Sequence, residues 1–183
     1  PEETMSQSKF IVRKVAVLGA GVMGAQIAAH LINAKVPTVL FDLAAKEGDK
    51  SAIAKKAIEG LKKLKPSPLA GKDRADFITP ANYDEHLSLL KECDIVIEAI
   101  AERMDWKNDL YAKIGPFLSS TAIFASNTSG LSINALADAL PAALRPNFCG
   151  IHFFNPPRYM PLVEIIATRS TAAATLDGLE TWL

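Results

Sequence analysis

A doubly wound, mostly parallel α/β sheet is predicted for this chain, and three observations predict it. Strand-type and helix-type patterns alternate from end to end. The apolar runs are short, as in Ile95-Val96-Ile97, and suit strands covered on both faces. The first of them, Val15-Ala16-Val17-Leu18, stops on Gly19-Ala20-Gly21-Val22-Met23-Gly24 and a long helical pattern follows. That is the strand–turn–helix order in which a glycine fingerprint wraps a dinucleotide pyrophosphate.

Taken in order, strands are expected at 14–18, 38–41, 95–99, 122–125, 148–152 and 162–167, with a weaker one near 77–79. Helices are expected at 22–34, 46–65, 106–118, 133–140 and 171–183. The second helix ends at Lys65-Pro66-Ser67-Pro68, because neither proline suits a helix interior, and a polar surface loop over 70–76 follows. The last pattern stops on Trp182-Leu183 without a cap or polar tail, so the sheet is expected to be truncated at its C-terminal end.

Composition sets the outer limits. The chain has 183 residues, of which 49% are hydrophobic, enough for one domain with a real core. Lys plus Arg and Asp plus Glu stand at 20 each, and zero net charge gives no general drive toward nucleic acid or an anionic membrane. The two cysteines, Cys93 and Cys149, adjoin apolar runs, which favours a reduced, cytoplasmic setting over a disulfide framework. No run approaches the length of a membrane span. The first residues are polar and lack a signal-peptide core, so 1–12 is expected as a flexible leader and 13–183 as the domain.

Each fingerprint glycine has a physical task. Gly19 permits the tight turn, Gly21 lets backbone approach the pyrophosphate, and Gly24 allows close helix–strand contact. The helix beginning at Val22 offers unpaired N–H groups to an anion. Asp42 ends the second strand 23 residues after Gly19. Its carboxylate suits the adenosine ribose hydroxyls and repels a 2′-phosphate, which favours NAD over NADP. Its alternative role is to cap the following helix. Ile100 and Ala101, just past the run at 95–99, stand where adenosine would lie. Glu102 and Lys107, five residues apart, read by themselves as a surface ion pair of little energetic consequence.

The turn Ser126-Asn127-Thr128-Ser129-Gly130 ends another apolar strand; it is either a ligand-binding turn or a helix N-cap. His152 ends the strand after that, and Glu164 follows 12 residues later inside an apolar run. A carboxylate there needs a partner if buried. Two strands joined by the intervening proline-bearing loop would return it to His152, where it fixes the tautomer of an imidazole base. A structural strand-end histidine is the alternative. No residues have metal-ligand spacing.

With these residues in hand, the chain resembles the NAD-binding domain of the L-3-hydroxyacyl-CoA dehydrogenase family over residues 13–168. The markers are the run 19–24, Ile97-Glu98-Ala99-Ile100-Ala101-Glu102, Ser126-Asn127-Thr128-Ser129 and His152-Phe153-Phe154-Asn155-Pro156. Arg103-Met104-Asp105-Trp106-Lys107 and Asn155-Pro156-Pro157-Arg158-Tyr159 are similar to bacterial versions fused to an enoyl-CoA hydratase. The resemblance implies a Rossmann-type fold, His152 as base, Glu164 as its electrostatic partner, and Ser129 bonded to the substrate oxygen beside nicotinamide. It implies that Gly19, Ala20, Gly21, Val22, Met23, Gly24, Asp42, Ile100, Ala101, Glu102, Lys107, Ser129 and Asn155 hold NAD. The lysine-rich helix at 46–65 would edge the phosphates of an acyl-CoA substrate; by pattern alone it is an ordinary amphipathic helix.

The family continues into a helical second domain that supplies dimer contacts and a further substrate-binding asparagine. The chain is expected to stop before that domain and before the last strand of its own sheet, and so to bind NAD but turn over poorly. The implied reaction converts (S)-3-hydroxyacyl-CoA and NAD⁺ to 3-oxoacyl-CoA, NADH and a proton, as in fatty-acid β-oxidation. The competing readings are another β-hydroxyacid dehydrogenase, which would rely on a lysine base, and a dinucleotide-binding module without chemistry.

Overall fold

The apolar runs become the inner strands of one seven-stranded sheet in the computed structural model, which describes residues 10–160 and 162–183. The strands are β1 (Val15–Leu18), β2 (Thr38–Asp42), β3 (Ile78–Asn82), β4 (Ile95–Glu98), β5 (Ile123–Ser126), β6 (Phe148–Phe153) and β7 (Val163–Ile166). Their order across the sheet is β3-β2-β1-β4-β5-β6-β7. The first six run parallel, and β7 alone is antiparallel, paired with β6. Leu18 lies level with Phe41 and Glu98, Glu98 with Ser126, and Ser126 with Gly150. The carboxyl ends of β1, β2, β4 and β5 therefore form one edge, and the direction of winding reverses between β1 and β4. Ligands bind at such a reversal.

Strands β1, β2, β4, β5 and β6 are buried along nearly their whole length, so alternate residues feed two cores. Val15, Val17, Ile95, Ile97 and Ile151 pack with α1 (Val22–Asn33), α2 (Ala52–Leu61) and Leu179 of α5 (Ala173–Trp182). Ala16, Leu18, Val96, Phe124 and Phe148 pack with Tyr111 of α3 (Met104–Ile114) and Leu136 of α4 (Ile133–Asp138). Tyr111 stands edge-on to Phe124, with ring centroids 4.9 Å apart.

Several elements differ in extent from the sequence expectation. Helix α2 covers Ala52–Leu61 rather than 46–65. Gly48 takes a positive φ of 71° and Asp49 accepts the Ser51 N–H at 2.9 Å, so residues before Ser51 form a turn that competes with helix. Helix α3 begins at Met104 because Arg103 is extended, and ends at Ile114, where Gly115 and Pro116 open a 3-10 turn. Strand β3 runs on to Asn82, with Pro80 tolerated on a sheet edge. The leader expected over 1–12 is anchored in its last residues: Phe10 and Val12 pack on the core, Phe10 against Gly178. Residues 1–9 lie outside the described residues. Among the described residues, no helix is long and apolar enough to cross a membrane.

Both cysteines are free and buried. Burial pushes the Cys93 thiol up to about 11 and the Cys149 thiol up to about 12, from an ordinary value of 9.0. Burial likewise holds the Tyr83 and Tyr111 hydroxyls above their usual range. Each group is neutral when protonated, and unfolding releases its proton more readily. The stability they contribute is thus complete below pH 9.0 and drains away as pH rises toward 12. Denaturant midpoints measured from pH 7 to 12 should stay level and then fall, and Cys149→Ala should flatten that fall.

Candidate dinucleotide and proton-transfer site

The turn after β1 is set by contacts that only glycine permits. Gly19 has φ +104°, and a Cβ there would lie 2.7 Å from the Ala99 carbonyl oxygen. A Cβ on Gly24 would lie 1.8 Å from the Gly19 oxygen, so α1 presses directly on the turn. Gly21 is different: a Cβ there would meet nothing within 4 Å. It is the N-cap of α1 and brings no side-chain hydrogen bond, and the first turn holds no acidic residue. The N–H groups of that turn and the positive end of the helix thus face open space. Val22 is 70% exposed at the same point. This is the geometry a pyrophosphate requires.

Beside the turn is a cavity of about 520 Å³, walled by Gly21, Asp42, Leu43, Ile100, Ala101 and Trp106. Its walls suit an adenosine group: the faces are mostly apolar, Asp42 stands beside the turn, and Asp109 and Lys113 of α3 add the remaining charges. Asp42 does not cap α2, whose N-cap is Ser51. Its Oδ2 accepts the Ala20 N–H and its Oδ1 the Leu43 N–H, each at 2.6 Å, and lone pairs are left for a ligand. Tyr83 also borders the cavity, and its buried hydroxyl has no partner among the described residues. The residues present fit a dinucleotide of the NAD type. Trp106, Tyr83 and Leu43 were not assigned to the cofactor site from sequence; the available signal was position, since Leu43 and Tyr83 each stand one residue past the end of a strand.

Beneath the cavity floor, Glu98 ends β4 with no exposure. Its Oε1 accepts the Tyr111 hydroxyl at 2.6 Å and the Ser126 hydroxyl at 2.8 Å, while Oε2 accepts the Ile100 N–H at 2.9 Å. The Lys107 ammonium, equally buried, donates to both oxygens at 2.9 and 2.8 Å. The expected surface pair of Lys107 with Glu102 is thereby corrected. Lys107 turns inward because α3 carries it over the end of β4, and it approaches Glu102 only to 3.9 Å. Glu102 instead accepts the Thr128 hydroxyl at 2.7 Å. Lys107, Glu102, Ser129 and Asn155 do not wall the cavity. Met23 packs on the core beside it.

At the far end of the sheet, His152 and Glu164 are cross-strand partners in the antiparallel β6–β7 pair. Nδ1 stands 3.7 Å from Oε2, ion-pair range rather than a hydrogen bond. The side chains are 28% and 53% exposed, so Glu164 is not the buried carboxylate that its apolar neighbours suggest. Strand β7 lies at the edge of the sheet, and none of its four residues is fully buried. The Phe154 ring lies 4.6 Å from the imidazole. Ser129 is exposed in the turn after β5. The cap of α4 is Ser132, which accepts the Ala135 N–H at 3.3 Å, so the turn 126–130 is not itself the helix cap. Asn155 is exposed in the loop after β6.

A strand order that reverses between β1 and β4, a glycine turn and an acid at the end of β2 define a Rossmann-type dinucleotide-binding domain. Residues 14–183 match the family described as 3-hydroxyacyl-CoA dehydrogenase, NAD binding domain, and the chain belongs to that family. It is 47% identical over 156 residues to a putative fatty acid oxidation complex trifunctional enzyme of Rickettsia felis, covering 85% of this chain and 22% of that protein. It is 37% identical over 182 residues to human mitochondrial hydroxyacyl-coenzyme A dehydrogenase, covering 95% of this chain and 56% of the relative. The crystal structure of (S)-3-hydroxybutyryl-CoA dehydrogenase from Ralstonia eutropha superposes with a TM-score of 0.74 at 31% identity, covering 94% of this chain and 60% of that one. The chain thus spans less than two thirds of each of these proteins.

The glycines separate two kinds of effect. Gly24→Ala should cost at least about 3 kcal/mol, since backbone must move to admit the methyl group. Gly21→Ala should cost under about 1 kcal/mol in stability, as its φ of −73° suits any residue, yet weaken NADH binding about tenfold or more. Thermal unfolding and titration calorimetry on the two variants check this.

Proposed function

We propose that this chain supplies the NAD-binding and proton-accepting part of an enzyme that oxidises (S)-3-hydroxyacyl-CoA to 3-oxoacyl-CoA, the oxidation step of fatty-acid β-oxidation. The observation that carries the reading is the His152–Glu164 pair. His152 lies two residues past Gly150, which is level with Ser126, so it projects beyond the same sheet edge that carries the glycine turn. A proton acceptor with its own carboxylate thus stands at the cofactor edge, which a binding module without chemistry does not need. The name of the human relative supports a hydroxyacyl-CoA as substrate, and that of the rickettsial relative supports a place in fatty acid oxidation.

When bound, NAD⁺ supplies the acceptor for the hydride that leaves carbon 3 of the substrate. With Nδ1 turned to Glu164, His152 keeps Nε2 for the proton of the substrate 3-hydroxyl. As Nε2 gains that proton, the carboxylate at Nδ1 stabilises the imidazolium. The Phe154 ring covers one side of the imidazole and limits its access to water. Ser129 donates its hydroxyl to the substrate oxygen, Asn155 steadies the cofactor, and the turn of α1 holds the pyrophosphate. Glu102 and the buried Lys107 serve the cofactor loop from behind. The same reading takes the intact enzyme as a cytoplasmic homodimer in which a helical domain completes the acyl-CoA pocket.

In the intact enzyme, His152→Gln should lower kcat by about 10²–10⁴-fold and leave the Kd for NADH within about twofold. Glu164→Gln should lower kcat about tenfold by the same route. Steady-state oxidation of a 3-hydroxyacyl-CoA, with calorimetry for NADH, measures both. Full turnover by His152→Gln would remove the proposal.

A further inference from the structure

Resting on that reading, we infer that Asn127 is a positioning residue for His152, one that ties the base to the cofactor edge of the sheet. The β5–β6 ladder pairs Phe124 with Phe148, Ala125 with Cys149 and Ser126 with Gly150, and there it ends. His152 lies beyond that level, where β5 has no backbone to offer. On its other side the strand is held by β7, which pairs Ile151, His152 and Phe153 with Ile165, Glu164 and Val163. Asn127 replaces the missing ladder. Its Oδ1 accepts the Phe153 N–H at 3.0 Å, one residue past the imidazole. A backbone N–H can only donate, so the amide must present its oxygen there.

The same residue is anchored from the cofactor side. The Asn127 N–H donates to the Glu98 carbonyl oxygen at 2.7 Å. Its neighbours are fixed from that side too: the Ser126 hydroxyl donates to the Glu98 carboxylate and the Thr128 hydroxyl to Glu102. Three successive residues of one turn are therefore registered on residues 98–102, and the middle one passes that register to the strand end of His152. A displacement of the cofactor loop moves the base through a single side chain. A side-chain clasp also closes the opposite end of the same strand pair, where the Asn147 amide donates to the Ser120 carbonyl at 2.8 Å, but it is remote from His152 and has no link to residues 98–102.

The test compares Asn127→Leu and Asn127→Ala with Asn147→Ala in the intact enzyme. Both Asn127 variants should lower kcat about tenfold or more while KM and Kd for NADH stay within about twofold. Amide exchange at Phe153 should quicken in both. Asn147→Ala should lower the thermal midpoint and leave kcat within about twofold. Native kcat in either Asn127 variant overturns the inference, and so does an equal loss of kcat in Asn147→Ala, which would mark general loosening of β6. If His152→Gln itself is fully active, the proposed function falls and this inference falls with it. If His152→Gln is inactive and the Asn127 variants are native, this inference alone falls.

Discussion

The buried pairing of Glu98 with Lys107 is the constraint on which the site depends. Both side chains have no exposure, and stripping water from each ion costs several kcal/mol. The pair persists because its geometry is complete. Four donors from a loop, from α3 and from β5 converge on one carboxylate, and no lone pair is left facing hydrocarbon. A low-dielectric interior makes such a cluster strong when satisfied and expensive when not. It sits at the end of β4, beside the place where the winding of the sheet reverses. Helix α3, the cavity floor and the turn after β5 therefore share one fixed reference point.

The two halves of the sheet then carry different work. Strands β1 and β2 end in backbone: a glycine turn and a helix N-terminus, with Asp42 bracing the turn through the Ala20 N–H. Charge there is delivered by dipoles and one carboxylate, which suits a ligand held along its length. Strands β5 to β7 end in side chains, and the imidazole of His152 faces a carboxylate from the antiparallel edge strand. Reversing the last strand is what brings Glu164 back beside His152 at the end of the sheet that carries the cavity.

Much of this was legible in the sequence, for physical reasons. Strands buried on both faces must be apolar throughout, so Val15-Ala16-Val17-Leu18 and Ile95-Val96-Ile97 announce themselves. The fingerprint is legible because sterics leave no residue but glycine at positions 19 and 24. The pairing of His152 with Glu164 was readable because a proline-bearing loop joins two strand patterns, and a chain that folds back there can lay Glu164 beside His152. What was not legible depended on three-dimensional neighbours. Lys107 looks like a surface cation until α3 folds it over Glu98, and the lysine-rich segment before Ala52 looks helical until Gly48 and Asp49 form a local turn. The half-exposed state of Glu164 follows from its place on an edge strand, which the composition of that strand does not reveal.

The unequal crowding at the three fingerprint glycines bears on how such motifs drift through descent. Gly19 and Gly24 are required by the packing of helix on turn, whether or not any ligand is ever bound. A lineage that abandoned dinucleotides but kept this architecture would be obliged to retain both. Gly21 answers to no atom of the protein. It is the position at which a side chain would leave the packing of the protein untouched and alter only what can approach the turn from outside.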